Sequence, residues 1–560
     1  MTTAAVCART SAQQAVRLPM CAALVALPFL FPMAAGPSAN AWQQLATWIC
    51  MAFLLLALGV SAARPSPPLA GWLALTGSLV LIRCVPNLSL AAVVATTMAA
   101  VMAMACIGAG GTQPNQPLPA VVAWGLLAAG LLSALLGLLQ YFGLAETLLP
   151  WMNAPEPGQA YGSLRQRNQL ATLLSMALVA ALWLQPDWTL GWRRVAWTIA
   201  VCLLLFGLAA STSRTGLLQL LSIAGVSSWL AWRERRGPGR FRLPPPLLLL
   251  ASIPVYFFAT WLLPLLAGGG VETMGQRLRE GAPLAHSRMI LWHNVLDLIA
   301  LRPWTGWGWG ELAFAHYSTL YEGIRFTELL DNAHNLPLHL SVELGVPAAL
   351  LICSGFGWLA IAARPWREAD PARLMVWGLL TMILIHSLLE YPLWYGPFQL
   401  VFGLCIGFLW PAAASVAPPR LPSKAAPVLG AAVLLIGSVY AAWDYARISQ
   451  IYLPRDERLP ALQDDTLNKV AGSWLFANQV RFAELALSPV DEGHATQVHA
   501  LAVQLLHFSP EARVVAKLID SAILLGLRDE ASAHIQRFSI AYPREYERWR
   551  NDLPIDDPSE

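Results

Sequence analysis

Runs of apolar residues long enough to cross a bilayer recur along this chain as far as residue 444, and they leave few folds open. A helix rises about 1.5 Å per residue, so roughly 20 apolar residues span the hydrocarbon of a bilayer. Such stretches are expected near 18–36, 45–62, 68–84, 89–110, 118–141, 169–186, 195–210, 215–232, 245–267, 336–363, 374–389, 395–411 and 426–444. The third is short, and those that contain proline are expected to kink. Only 12% of the 560 residues are Asp, Glu, Lys or Arg. An average soluble domain carries about 25%, so there is too little charge here to cover a soluble surface. The expected fold class is all-α: a polytopic membrane helix bundle of about 12–13 spans, a long loop near 268–335 and a soluble helical tail. The stretch 18–36 does not read as a cleaved signal peptide, because another long span follows it closely.

Charge divides the chain. Residues 445–560 hold 12 Lys and Arg against 17 Asp and Glu, while 1–444 hold 24 against 16. Two domains are expected, 1–445 in the membrane and 446–560 outside it. Basic short loops mark the cytoplasmic side. With Arg9 and Arg17 inside, Arg193, Arg194, the run RERRGPGRFR at 233–242, Arg364, Arg367, Arg373, Arg420 and Lys424 also fall inside. Thirteen crossings then put the tail on the opposite side, with 143–168, the turn at 211–214 and the 268–335 loop. In a bacterium that side is the periplasm and the membrane is the inner one. In the tail, 498–508, 512–527 and 530–541 carry apolar residues at helical spacing. They read as one tetratricopeptide-like helix pair with a neighbour; packing of a small domain and holding of a protein partner both fit. The eight cysteines lie in or beside apolar runs, with no CxxC and none in the tail. They read as small side chains of the membrane core, and neither a disulfide framework nor a zinc site is expected.

Ionisable groups are costly at membrane depth, so polar clusters at span ends point to function. Five fall on the same expected side. They are YGSLRQRNQ at 161–169, STSRTG at 211–216, His286-Ser287-Arg288 with Trp292 and PWTGWGWG at 303–310, DNAHN at 331–335 with Glu343-Leu344-Gly345, and HSLLEYPLWY at 386–395. Each alone has a plainer reading. An arginine at a span end reaches for lipid headgroups, a lone histidine is a structural one, and Tyr391, Trp394 and Tyr395 form an interfacial aromatic belt. The glycines at 306, 308 and 310 follow no strand and open no amphipathic helix, so they are not a dinucleotide loop. Together the five suggest one site. Arg214 and Arg288 present planar charged forks suited to phosphate oxygens. His334 is a candidate base with a usable pKa, and Asn335 or Glu343 would orient it. That set suits transfer of a group from a pyrophosphate donor.

In this order the clusters resemble the O-antigen ligase/polymerase superfamily of bacterial membrane glycosyltransferases. The RQRN and EYPLWY elements, with a soluble C-terminal extension, are most similar to its protein O-oligosaccharyltransferases of the PglL type. The resemblance covers about 140–410. It implies a polyprenyl (undecaprenyl) pyrophosphate-linked oligosaccharide as donor, moved en bloc on the periplasmic side. The implied acceptor is a Ser or Thr hydroxyl of an exported protein such as a pilin. No cofactor, metal or nucleic acid is expected. No DxD carboxylate pair stands in a membrane-facing loop, and cationic side chains replace a metal as charge stabilisers. His334 is expected to be the catalytic base. Arg214, Arg288 and Arg167 are expected to bind pyrophosphate; how roles divide among these and Arg165 stays open. Gln166, Asn168, Asn335, Glu390 and Tyr391 are expected to orient donor or acceptor. The alternatives are a ligase that uses the same donor on lipid A–core, a glycan polymerase, and, in another class, a lipid-linked glycan flippase. A flippase would show paired repeats with interrupted helices, and none is seen.

Overall fold

The computed structural model describes residues 3–38, 40–84, 87–113, 116–149, 152–185, 191–237, 242–268, 274–276, 287–413 and 425–551, with the backbone alone for 3–16 and 60. His286, Arg420 and Lys424 lie outside the described residues, and of Arg9 only the backbone is described. Among the described residues the regular elements are helices, and the one β-type contact is an isolated bridge between Pro65 and Pro411.

Among the described residues nine helices are long and apolar enough to cross a membrane: Ala41–Leu58, Leu88–Gly110, Leu118–Tyr141, Arg167–Leu184, Gly191–Ala210, Arg214–Arg235, Pro246–Leu266, Val346–Arg367 and Ala425–Tyr452. Four shorter apolar ones, Arg17–Leu30, Pro67–Arg83, Pro371–Ser387 and Gly396–Leu409, fill the remaining expected positions. The all-α polytopic bundle read from the apolar runs is thus the observed architecture. At about 1.5 Å per residue the shortest of these helices fall short of the roughly 30 Å of hydrocarbon. Gly396–Leu409 is buried along its whole length, so its surroundings are protein instead of lipid. It lies against Leu88–Gly110 closely enough that a Cβ on Gly407 would meet the Ala105 carbonyl at 1.9 Å. Small residues commonly allow such close contact between membrane helices.

Alternating direction brings the ends at Leu30, Arg83, Tyr141, Ala210, Leu266, Ser387 and Ser449, and the starts at Ala41, Leu88, Arg167, Arg214, Val346 and Gly396, to one face. Bonds across that face include Arg83 Nη2 to the Gly306 carbonyl (3.3 Å), Arg165 Nη2 to the Pro32 carbonyl (2.6 Å) and Tyr445 Oη to the Ser38 carbonyl (2.8 Å). On the other face Arg233 Nη2 donates to the Glu368 carbonyl (2.8 Å) and Arg373 Nε pairs with the Glu368 carboxylate (2.6 Å).

The expected span 336–363 is two helices. Leu336–Leu344 and Val346–Ala363 meet at Gly345, where φ is +89° and ψ 155°. The glycines at 306 and 308 fit into this break: Trp307 and Gly308 donate to the carbonyls of Val342 (2.9 Å) and Glu343 (3.0 Å), and Val346 donates to Pro303 (2.8 Å). A Cβ at Gly345 would meet the Trp304 carbonyl at 2.4 Å, and only glycine adopts that backbone region readily. Gly345→Ala is expected to cost about 3 kcal/mol or more. A lower thermal midpoint and membrane level of the full-length protein would register it; an unchanged midpoint would contradict it.

The segment expected as a loop carries structure. Helices Arg288–Leu301 and Leu312–Ser318 lie within it. Past Ser449 the chain forms Ala477–Leu487, Ala495–Leu506, Ala512–Leu524, Arg528–Ala541 and Pro543–Arg550. Their apolar faces share one core that includes Tyr317 of the preceding segment. Tyr317 Oη bonds His534 Nδ1 (2.8 Å) and His507 Nδ1 bonds Glu311 (2.7 Å).

Candidate active site

Three helices begin on an arginine at the shared face: Arg167–Leu184, Arg214–Arg235 and Arg288–Leu301. Serine sets two of these starts, because its side chain is a good acceptor for the orphan N–H groups of a first turn. Ser213 Oγ accepts from Gly216 N–H (3.0 Å) and Ser287 Oγ from Ile290 N–H (3.3 Å). Each helix start adds partial positive charge to that of its arginine.

The three starts are tied to one carboxylate, Glu390. It lies just beyond the end of Pro371–Ser387, and its side chain is 6% exposed. Arg288 Nη2 pairs with its Oε1. Asn168 Nδ2 donates to Oε1 (3.1 Å) and Gln166 Nε2 to Oε2 (3.3 Å). Ser213 Oγ, beside Arg214, donates to Asn168 Oδ1 (2.6 Å). His334 Nδ1 lies 2.6 Å from Glu390 Oε2. A carboxylate only accepts, so Nδ1 carries a proton, and in the neutral imidazole the lone pair is on Nε2. Burial works to raise the Glu390 pKa, but the His334 hydrogen bond and the charges of His334, Arg288 and His386 outweigh it and hold the carboxyl below its usual range.

His334 is held in a left-handed turn, φ +50°. Its N–H donates to Asn332 Oδ1 (3.0 Å), and the carbonyl of Ala333 accepts from Trp292 Nε1 (3.1 Å). Asn335 caps the next helix through Leu338 N–H (3.1 Å), and its Nδ2 donates to the Leu388 carbonyl (3.0 Å). The Tyr391 ring stands edge-on to His334 at 5.1 Å and stacks on Tyr395 at 5.7 Å. Burial, and then Tyr395, push the Tyr391 hydroxyl well above its ordinary pKa, so it stays protonated and able to donate.

Beneath this rim the bundle is polar. Thr172 Oγ1 lies 3.0 Å from His386 Nδ1 and accepts from Gln219 Nε2 (3.0 Å), which also reaches the Met382 carbonyl (2.9 Å). Among the described residues no group of three His, Cys, Asp or Glu could hold a metal ion.

The structure therefore gathers His334, Arg288, Gln166, Asn168, Glu390 and Tyr391, with Asn335 one residue away and Arg214 at the helix start that Ser213 links to Asn168. Arg167 sits between Gln166 and Asn168 in the chain. Arg165 turns to the Pro32 carbonyl. One reading needs correction. Glu343, expected as one possible partner of His334, pairs with His339 at 3.2 Å, and the carboxylate on His334 is Glu390. The sequence reading passed over Gln140, a buried amide that accepts from Tyr161 N–H (3.0 Å) and Gly162 N–H (2.7 Å) and so shapes the approach to the RQRN turn. A glutamine inside an otherwise apolar span is the signal that would have found it.

Three family profiles match the chain. Residues 160–184 match one described as protein glycosylation ligase, 198–353 one described as O-antigen ligase, and 374–553 one described as virulence factor membrane-bound polymerase, C-terminal. A general O-oligosaccharyltransferase of Acinetobacter baylyi is 30% identical over 300 residues, 51% of this chain and 49% of that protein. A ComP-specific O-oligosaccharyltransferase of the same organism is 24% identical over 131 residues, 22% of this chain and 23% of that protein. The chain thus spans about half the length of the first relative and about a quarter of the second. The three profiles fall in turn on the segments that carry Gln166 to Asn168, on Arg214, Arg288, His334 and Asn335, and on Glu390 and Tyr391.

Proposed function

We propose that this chain, a relative of the O-antigen ligases and of the protein O-oligosaccharyltransferases, moves an oligosaccharide en bloc from a polyprenyl (undecaprenyl) pyrophosphate to a Ser or Thr hydroxyl of an exported protein, a pilin being the expected kind. The supporting observation is the meeting of three arginine-led helix starts around a histidine–carboxylate pair. Helix starts and guanidinium forks suit a diphosphate, and an imidazole whose Nδ1 is held by a carboxylate suits proton abstraction at Nε2.

In the proposed step His334 Nε2 takes the proton of the acceptor hydroxyl as its oxygen bonds to the anomeric carbon. The bond from that carbon to the pyrophosphate oxygen breaks, and the electron pair leaves with the lipid diphosphate. Arg288, Arg214 and Arg167 stabilise the charge that grows there, with no metal required. Gln166, Asn168, Asn335 and Tyr391 orient the two substrates around Glu390. A single displacement inverts the anomeric centre. The site face is taken as periplasmic, in an inner-membrane protein, with 1–445 as the transferase part and 446–560 as a soluble domain.

Arg288→Lys tests the reading. The side chain is 39% exposed while it holds the buried Glu390, so one fork is placed to bridge the carboxylate and an incoming anion. A lysine gives one point charge in place of a planar pair of donors. Transfer from lipid-linked glycan to acceptor is expected to fall about 10²-fold, with the protein still folded; near-normal turnover would sink the clamp. A ligase acting on lipid A–core is the second reading, favoured by the O-antigen ligase match at 198–353. Supplying the same donor with pilin and with lipid A–core separates the two.

A further inference from the structure

Five residues beyond His334 the short helix Leu336–Leu344 hides a second histidine–carboxylate pair. His339 Nε2 lies 3.2 Å from Glu343 Oε2, one helical turn on, and the side chains are 3% and 1% exposed. Burying a carboxylate away from water is costly, and a paired partner offsets much of that cost. The surroundings of the imidazole are otherwise aromatic: the Trp394 ring meets it edge-on at 4.8 Å and the Trp309 ring at 5.9 Å. The backbone of Glu343 is engaged with the glycine turn, its carbonyl accepting from Gly308. Neither residue touches Glu390.

What His339 does touch is the turn that carries the proposed base. Its Nδ1 lies 3.4 Å from the N–H of Ala333, a buried contact. A backbone N–H only donates, so Nδ1 is the lone-pair nitrogen and Nε2, on the Glu343 side, bears the proton. This is the opposite tautomer to that of His334; the Ala333 N–H sets it, and the Glu343 carboxylate stands within ion-pair reach of Nε2 without a hydrogen bond to either of its oxygens.

We propose that His339 and Glu343 are positioning residues for the reaction: Glu343, by its charge 3.2 Å away, favours the His339 tautomer with the proton on Nε2, and His339 holds Ala333 so that the 331–335 turn delivers His334 to Glu390. Ala333 is then gripped on both sides, through its N–H by His339 and through its carbonyl by Trp292. His334 follows with its backbone in the left-handed region, which a non-glycine residue adopts when its neighbours are fixed. The inference rests on His334 being the base, and adds the reason it stays in place.

The test uses full-length protein in liposomes with a polyprenyl-pyrophosphate-linked oligosaccharide and a pilin acceptor. His339→Leu and Glu343→Leu are expected to lower kcat roughly tenfold to a hundredfold, the scale of a small misplacement of a reacting group, while KM for the donor stays within about twofold. His339→Asn, whose Oδ1 falls near the position of Nδ1, is expected to regain several-fold over His339→Leu. Amide hydrogen exchange across 331–335 should quicken in both leucine variants and stay as in wild type across 495–541. Wild-type kcat in the leucine variants, an asparagine no better than leucine, or exchange that quickens equally in the tail would each overturn the positioning role. If His334→Ala proves fully active, the reading of the base fails instead, and the exchange measurement still decides whether the pair holds the turn.

Discussion

His334→Ala is expected to lower glycan transfer by about 10²–10⁴-fold, the range that a lost general base commonly costs. The side chain to be removed is 27% exposed and joined to Glu390 by a 2.6 Å hydrogen bond. Alanine leaves no group to take the hydroxyl proton. It also frees a lone pair of Glu390, which keeps Arg288, Asn168 and Gln166, so the fold and donor binding should persist. Turnover measured beside the binding of lipid-linked donor checks this: kcat collapses and donor affinity moves little. A variant that retains a tenth of wild-type kcat would remove His334 from the chemistry.

Glu390→Gln is expected to be nearly as damaging, at about 10²-fold or more, for a different reason. The substitution keeps the shape and removes the charge on which four side chains converge. One end of the new amide is a donor and must face at least one of Arg288, Asn168, Gln166 or His334, each of which presents a donor there. Arg288 loses its counter-charge, and Nδ1 of His334 is no longer held by an acceptor-only group, so the imidazole can turn to the wrong tautomer. The sign with pH follows from the depressed Glu390 pKa. Its stabilising effect is fully present above the unfolded carboxyl value near 4.3 and is lost as pH falls through the lower folded value. The wild-type pairing is therefore intact at neutral pH, and raising the pH should not rescue the glutamine variant. Full activity of Glu390→Gln at neutral pH would refute the role.

The membrane architecture was legible because run length alone carries it: an apolar stretch need show no periodicity to be read as a span. The break at Gly345 was not, since hydropathy averages over Val342, Leu344 and Val346 and cannot register a positive φ. The glycines at 306 and 308 showed as a series without a use, because their partner is a helix end some 35 residues further on. The helix starts at Arg214 and Arg288 could have been read from the serine before each, a capping signal. That Glu390 and not Glu343 would meet His334 could not. Glu343 is nearer along the chain, and on one helix it faces His339 instead, four residues before it. Tail helices were legible through their amphipathic spacing, with ends displaced by a few residues. The docking of Tyr317 and Glu311 onto His534 and His507 joins segments about 200 residues apart and leaves no trace in spacing.

The polar layer beneath the rim has a consequence for how firmly these groups are aimed. Thr172 is one turn below Asn168, His386 one turn below Glu390, and Gln219 little more than a turn from Arg214. A single-residue slip of any of these helices rotates it by about 100° and shifts it by about 1.5 Å, which would part Thr172 from Gln219 and His386. The three rods are thus keyed against spinning at a depth that solvent and substrate do not reach, and the angular setting of the reactive rim is inherited from below, whatever lipids surround the bundle.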